Sequence, residues 1–253
     1  MLRGCVPPRR PPRLKRSEQR EDLPVARRSL PESRGRRGLL KPVATTTAVL
    51  LALTAGGVLL FLQPLRLWLA PPPVPGLEAR QTLDGRLLGH FPYPEAAASS
   101  LEAVAPGLKL RPEAADALLA MQRAASADGV DLRLLSAFRS IELQKGIFFD
   151  VKAERNQSAQ ERAQVSAPPG FSEHSTGYAV DLGDGANPQS HLSEGFDRTA
   201  AFRWLEANAN RFHYQLSFPR GNSQGVSYEP WHWRYEGSLE ALRLFETARQ
   251  LGR

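Results

Sequence analysis

Apolar and polar positions recur with regular periods through the C-terminal two thirds of the chain and predict its secondary structure. Helical spacing favours helices over residues 111–129, 141–163, 196–210 and 239–251. Asp197 is the predicted N-cap of the third helix. Short runs of aliphatic and aromatic residues favour strands over 130–137, 177–182, 214–218 and 228–234. Helices and strands come in runs rather than in strict alternation, which indicates an α+β fold with a mostly antiparallel sheet flanked by helices.

A longer apolar run, residues 43–62, contains no charged residue. As a helix it would span roughly 30 Å, the hydrocarbon thickness of a bilayer, so it predicts a single transmembrane helix. Residues 1–41 carry 13 Lys or Arg against 4 Asp or Glu, and this excess predicts that they lie in the cytoplasm and the rest outside it. A cleaved signal peptide is the alternative, although no small-x-small cleavage site precedes Arg66.

These patterns divide the chain into four predicted parts. Residues 1–41 form a disordered basic tail, 42–65 the anchor, 66–82 a proline-rich linker, and 83–253 the folded domain. The basic excess belongs to the tail, because residues 42–253 carry a net charge of −2. That near-neutral balance argues against nucleic-acid binding by the folded domain. The one cysteine, Cys5, lies in the tail, which excludes a thiolate metal site or a cysteine nucleophile in the domain.

Two short segments carry candidate chemistry. The first, residues 172–181 (SEHSTGYAVD), contains His174 and Asp181, and the second, residues 229–233 (EPWHW), contains Glu229 and His232. Metal hydrolases use three protein ligands, an open coordination position and a nearby carboxylate, and these residues could supply them. Burying His232 between two tryptophans would be costly without a partner, although a satisfied core histidine is the alternative. The aromatic setting of Glu229 would raise its pKa, which suits a general base.

Three motifs together resemble those of a known family. These are residues 136–140 (SAFRS), the 172–181 segment and the 229–233 segment, in that order. Over about residues 83–240 the chain resembles the VanY-type zinc D-alanyl-D-alanine carboxypeptidases, which share a fold with the hedgehog signalling domain. The resemblance implies that His174, Asp181 and His232 bind zinc and that Glu229 is the catalytic base. It also implies that Arg139 engages a carbonyl or carboxylate of the substrate.

The resemblance extends to further positions. Ser136, Gln144 and Ser172 match positions that line the family's substrate cleft, although hydrogen bonding in turns and strand ends is the alternative role. His213 stands where relatives often carry glycine. His90 and His191 lie in polar or turn-like segments and are expected to be solvated.

The function implied is that of a membrane-anchored, zinc-dependent enzyme that removes the terminal D-alanine from peptidoglycan stem peptides. Its domain would lie on the periplasmic or extracytoplasmic side of a bacterial plasma membrane, as a monomer with no nucleic-acid partner. An L,D-carboxypeptidase and a crosslink endopeptidase with the same zinc site are the alternatives among enzymes. An inactive zinc-stabilised cell-wall-binding module is a third, and the presence of Glu229 and Arg139 argues against it.

Overall fold

The computed structural model describes residues 74, 76–77 and 79–251. The basic tail, the predicted transmembrane segment 43–62 and most of the proline-rich linker lie outside these described residues. Within the described part, none of the helices is both long enough and apolar enough to cross a bilayer. The predicted anchor and the four-part division of the chain therefore stay predictions.

The described part is an α+β structure, as the sequence predicts. Its helices and strands follow the order β1 Glu102–Ala105, β2 Leu108–Leu110, α1 Pro112–Ala127, β3 Leu132–Ser136, α2 Ile141–Glu154, α3 Ala159–Ala163, β4 Ala179–Asp184, α4 Ala200–Asn208, β5 Tyr214–Leu216, β6 His232–Tyr235, α5 Leu239–Leu244 and α6 Glu246–Leu251. Short 3₁₀ turns connect several of them, including one at Glu173–Thr176.

The central feature is a four-stranded sheet in the order β3-β4-β6-β5, with every neighbouring pair antiparallel. All six residues of β4 are buried, and so are all four of β6. In the β4–β6 register Asp181 lies opposite His232, and in the β3–β4 register it lies opposite Ser136. Directly opposite residues on one face of a sheet have Cβ atoms about 5 Å apart, so this register brings distant parts of the sequence to one point.

Helix α1 supports the sheet through an apolar stripe. Pro112 occupies its first turn, where the absent N–H costs no intrahelical hydrogen bond. Its buried residues recur every three or four positions, as the helical period requires, and they are Ala114, Ala115, Leu118, Met121 and Ala125. They join the main core cluster, which also contains Leu182 of β4 and Trp233 of β6.

Two of the predicted helices begin or break differently in the structure. The helix predicted over 196–210 is preceded by a 3₁₀ turn, and α4 begins after Thr199, whose side chain accepts a hydrogen bond from the Phe202 N–H. The prediction of Asp197 as the N-cap is therefore wrong. The helix predicted over 141–163 is two helices, because Asn156 takes a positive φ of 49° and Ser158 starts a new capping box with Glu161.

The strand predicted over 228–234 is also shorter. Regular pairing begins only at His232, so Glu229 lies in an irregular segment before β6. The expectation that His90 is solvated is wrong, since His90 is buried and its Nε2 lies 2.8 Å from the carbonyl oxygen of Ala163. His191 is also partly buried, and its Nε2 lies 2.9 Å from the carbonyl oxygen of Asp184.

Candidate active site

His174 is fixed by the tight turn that precedes β4. Its Nδ1 lies 2.8 Å from the carbonyl oxygen of Ala137. The ring proton is therefore on Nδ1, and Nε2 is unprotonated. The turn ends at Gly177, which has a φ of 76°, and a Cβ there would lie 2.6 Å from Cδ2 of Leu101. Glycine is therefore required both by the backbone conformation and by the packing at this position.

Asp181 lies between two imidazoles. Its Oδ2 is 3.3 Å from Nε2 of His174, and its Oδ1 is 3.2 Å from Nδ1 of His232. All three side chains are buried, and their ligand atoms lie within 4.8 Å of one another. Two imidazole nitrogens and a carboxylate, drawn from a turn and two neighbouring strands, form a compact set of metal donors.

A fourth buried group, Glu173, holds His232 from the other side. Its Oε2 lies 3.0 Å from Nε2 of His232 and accepts a hydrogen bond from Ser217 Oγ at 2.5 Å. Its Oε1 accepts a hydrogen bond from the Arg234 guanidinium at 3.0 Å. A carboxylate that hydrogen-bonds the outer nitrogen of a ligating histidine fixes the orientation of the ring. Glu173 is not among the residues predicted from the sequence, although Arg234, on the same face of a buried strand as His232, was a signal that an acidic partner lay nearby.

The local charges favour a cation at the cluster. Burial raises the pKa of Glu173, but Arg234 and His232 outweigh it and hold the pKa at about 2. Burial likewise opposes ionisation of Asp181, but the two imidazoles hold its pKa well below the ordinary value. Burial lowers the pKa of His232, while hydrogen bonds to Asp181 and Glu173 raise it to about 10. Without a metal ion, both ring nitrogens of His232 are therefore protonated near neutral pH, and a metal ion would displace one of these protons.

Glu229 faces this cluster from the segment that leads into β6. Its Oε2 is 3.9 Å from Nδ1 of His232, and its side chain is 15% exposed. Its backbone N–H donates to the Phe218 carbonyl oxygen, and its carbonyl oxygen accepts from the His232 N–H. The backbone of Glu229 is therefore fixed on both sides. Burial raises the pKa of Glu229 to about 7, partly offset by His232. The direction agrees with the shift expected from its aromatic surroundings.

Arg139 lies near Asp181 and is held by two polar side chains. Its Nη1 donates to Gln144 Oε1 at 2.8 Å, and its Nη2 donates to Ser136 Oγ at 3.2 Å and lies 3.7 Å from Asp181 Oδ2. Gln144 is fully buried and donates in turn to the carbonyl oxygen of Ala167. Ser136 and Gln144 thus fix the guanidinium, and their direct contact with a substrate stays a prediction.

These groups open into one cleft of about 450 Å³. Arg139, His174, Asp181, Glu229 and His232 all line it, and so does the buried Ser172. Apolar walls come from Ile147, Val165, Leu192, Phe218 and Trp231. The cleft combines a metal-donor set, a carboxylate of raised pKa and a fixed cation, which are the parts needed for hydrolysis of a polar bond.

Comparison with known proteins gives a consistent result. The family model VanY, described as D-alanyl-D-alanine carboxypeptidase, matches residues 107–238. The chain is 38% identical over 138 residues to YodJ, a predicted carboxypeptidase of Bacillus subtilis (strain 168), covering 52% of this chain and 48% of that protein. It is 37% identical over 131 residues to a D-alanyl-D-alanine carboxypeptidase of Enterococcus faecalis (strain ATCC 700802 / V583), covering 48% and 46% respectively. The match thus spans about half the length of these curated relatives.

Among solved structures, that of VanYB in complex with D-alanine-D-alanine is similar, with a TM-score of 0.50 and 30% sequence identity. The match covers 62% of this chain and 87% of that one. The two proteins share the α+β fold with an antiparallel sheet and helices that is described above.

Proposed function

Because the chain belongs to the VanY family of D-alanyl-D-alanine carboxypeptidases, we propose that it removes the terminal D-alanine from peptidoglycan stem peptides in a zinc-dependent reaction. The observation that carries this proposal is the buried His174–Asp181–His232 cluster with the Glu229 carboxylate 3.9 Å from His232 in the same cleft. A structural metal site has no need of an additional carboxylate of raised pKa.

The donor set suits zinc. Two imidazole nitrogens and one carboxylate are common ligands of catalytic zinc, and three protein ligands leave a coordination position open. When bound, zinc supplies a Lewis acid that polarises a carbonyl group and lowers the pKa of water. Ala137 and Glu173 orient the two imidazoles from behind, so that Nε2 of His174 and Nδ1 of His232 face the same point.

We assign to Glu229 the role of general base and general acid in the reaction. A carboxylate whose pKa lies near 7 can accept a proton from the attacking water and return it to the departing amine of D-alanine. Both backbone polar groups of Glu229 are hydrogen-bonded, which fixes the backbone from which its side chain reaches the cleft.

Arg139 would bind a negatively charged group of the substrate. Its guanidinium is fixed by Ser136 and Gln144 beside Asp181, so it presents donors at the metal-donor cluster without having to reorganise. It would bind either the scissile carbonyl oxygen as charge develops on it or the terminal carboxylate that distinguishes a carboxypeptidase substrate.

The test is hydrolysis of a synthetic stem pentapeptide ending in D-Ala-D-Ala by the full-length chain with zinc, followed by mass spectrometry. We expect loss of one alanine, reduced on the order of 10²–10⁴-fold or more in Glu229→Gln. Cleavage of a tetrapeptide but not the pentapeptide would instead establish L,D-carboxypeptidase activity, and cleavage of crosslinked dimers alone would establish an endopeptidase. Zinc and peptide binding without any cleavage would favour the binding module.

We further propose that residues 43–62 anchor the chain in a bacterial plasma membrane with the domain outside the cytoplasm. The support is the uncharged apolar run after a basic tail, and the peptidoglycan substrate lies on that side. Membrane fractionation with protease added to spheroplasts tests this. Digestion of the domain from the outer side is expected, whereas protection of the domain in intact spheroplasts would contradict it.

A further inference from the structure

Two arginines that the proposed reaction does not use line the same cleft as the metal donors. Arg155 follows the C-terminus of α2, and Arg162 lies in the short helix α3. Arg155 is exposed, whereas Arg162 is only 7% exposed. They add two positive charges to a cleft that already contains Arg139.

Arg162 is buried with almost none of its hydrogen-bonding capacity used. Its Nη2 lies 3.4 Å from the carbonyl oxygen of Ile147, and its buried Nε has no acceptor. Within residues 79–251, neither Arg155 nor Arg162 forms an ion pair within 4.0 Å. Burial lowers the pKa of Arg162, and the charge of Arg155, which lines the same cleft, lowers it further.

The acidic groups of the cleft are already engaged elsewhere. Glu173 accepts hydrogen bonds from Arg234 and Ser217 and contacts His232, and Asp181 lies between the two imidazoles. Glu229 faces His232. A buried cation is costly unless it is paired and hydrogen-bonded, so the unpaired guanidinium of Arg162 indicates that its counter-charge comes from a ligand.

Arg162 and Arg139 have different neighbours within the cleft. Arg162 immediately precedes Ala163, whose carbonyl oxygen lies 2.8 Å from Nε2 of His90. From His90 the contacts run to the Phe218 ring, with centroids 6.2 Å apart, and from Phe218 to His232, with centroids 5.0 Å apart. Arg139, by contrast, lies directly beside Asp181.

We propose that Arg162, assisted by Arg155, forms a second carboxylate-binding subsite in the active-site cleft. Its ligand is a carboxylate carried by an acidic residue of the substrate peptide on the N-terminal side of the scissile bond. This inference rests on the proposed function, because a carboxypeptidase leaves only one residue beyond the scissile bond. The planar guanidinium fork matches carboxylate geometry, so the substrate class is an acidic peptide rather than a neutral one.

The experiment compares two pentapeptides ending in D-Ala-D-Ala that differ at one internal acidic residue. One has the free carboxylate and the other the corresponding carboxamide. Both are assayed with full-length, zinc-loaded wild type, Arg162→Gln, Arg155→Gln and a control, Arg123→Gln, in which an exposed arginine of α1 outside the cleft is changed. Because Arg155 is exposed, its variant keeps the test valid even if loss of Arg162 impairs folding.

We expect wild type to prefer the carboxylate peptide in kcat/KM. Arg162→Gln should lower kcat/KM for that peptide about 10- to 100-fold, mainly through KM, and change it less than about threefold for the carboxamide peptide. Arg155→Gln should give a smaller selective loss, about two- to fivefold, because its charge is exposed. Arg123→Gln should change neither. Equal rates for the two peptides in wild type, or an equal loss for both in Arg162→Gln, would overturn the subsite.

Failure of the proposed function is distinguishable from failure of the subsite. If wild type cleaves neither peptide, calorimetric titration of the same zinc-loaded proteins decides the subsite by itself. Tighter binding of the carboxylate peptide that is lost in Arg162→Gln would support it. Equal affinity for both peptides, or no binding of either, would overturn it.

Discussion

Among single residues, Glu173 shows how one buried carboxylate organises the site without belonging to the donor set. It contacts His232, Arg234 and Ser217 at once, and it is nearly inaccessible to solvent. Its hydrogen bond to Nε2 of His232 leaves Nδ1 as the nitrogen that faces Asp181. The choice of ligating nitrogen on His232 therefore depends on a residue adjacent to His174 in sequence.

We expect Glu173→Gln to weaken zinc binding about 10- to 100-fold, because an amide orients the imidazole less firmly and makes it a weaker ligand. Zinc affinity is measured by competition with a chromogenic chelator. Glu236→Gln is the matched control, since Glu236 is a partly buried partner of Arg234 that has no hydrogen bond or ion pair with His232 among the described residues. Both variants should be destabilised, and only Glu173→Gln should lose affinity. An unchanged zinc affinity in Glu173→Gln would refute the orienting role.

His213 illustrates a residue in a conformation that favours glycine. It caps the 3₁₀ turn before β5 with a φ of 61°, and its ring contacts Tyr235 at a centroid distance of 6.2 Å. The backbone here is left-handed, which costs an L-residue roughly 1–2 kcal/mol.

We therefore expect His213→Gly to be more stable than His213→Ala by about 1 kcal/mol in the free energy of unfolding. Both variants lose the ring contact with Tyr235, so the difference between them isolates the backbone conformation. Urea denaturation measures it. A more stable alanine variant would show that the backbone around residue 213 relaxes out of the left-handed region.

Among elements, the pairing of β4 with β6 accounts for the site, since its register places Asp181 opposite His232. The sequence predicts both strands and both ligands, because alternating apolar residues and the spaced motifs are local signals. It does not predict where regular pairing in β6 begins. Glu229 lies before the strand because its N–H donates to the carbonyl oxygen of Phe218 in the segment after β5, and such a nonlocal partner leaves no trace in local periodicity.

Helix boundaries show the same division between local and nonlocal signals. The capping box of Ser158 and Glu161 could be predicted from its spacing, yet the apolar pattern across it suggested one continuous helix. At α4 both Asp197 and Thr199 have capping side chains. The structure uses Asp197 in an ion pair with Arg220 instead, a contact between residues 23 positions apart.

The start of α4 can be tested directly. We expect Thr199→Ala to lower the free energy of unfolding by about 1–2 kcal/mol, because the Phe202 N–H loses its acceptor. Asp197→Ala should cost less than about 1 kcal/mol, because the ion pair that it removes is largely exposed on the arginine side. Thermal or urea denaturation compares the two. A larger loss from Asp197→Ala would restore Asp197 as the cap.

At the scale of the whole molecule, the metal donors join segments that are far apart in the chain. His174 comes from a turn, Asp181 from β4 and His232 from β6, about 50 residues later. The motifs predict these three residues. The sequence does not reveal the cleft that they open into, because its walls and Arg162 come from helices and loops whose relative placement depends on packing.

Because the unfolded chain cannot hold these donors together, zinc binding should stabilise the folded domain. At a free zinc concentration about 1,000 times the dissociation constant, the expected gain is about 4 kcal/mol in the free energy of unfolding, and a chelator should remove it. Differential scanning calorimetry with and without the chelator measures the change. Glu229→Gln should keep the zinc-dependent gain, because Glu229 is a proposed base rather than a ligand, whereas His174→Ala should lose most of it. If Glu229→Gln abolished the gain in stability and His174→Ala kept it, the assignment of His174 as a zinc ligand and of Glu229 as the base would be wrong.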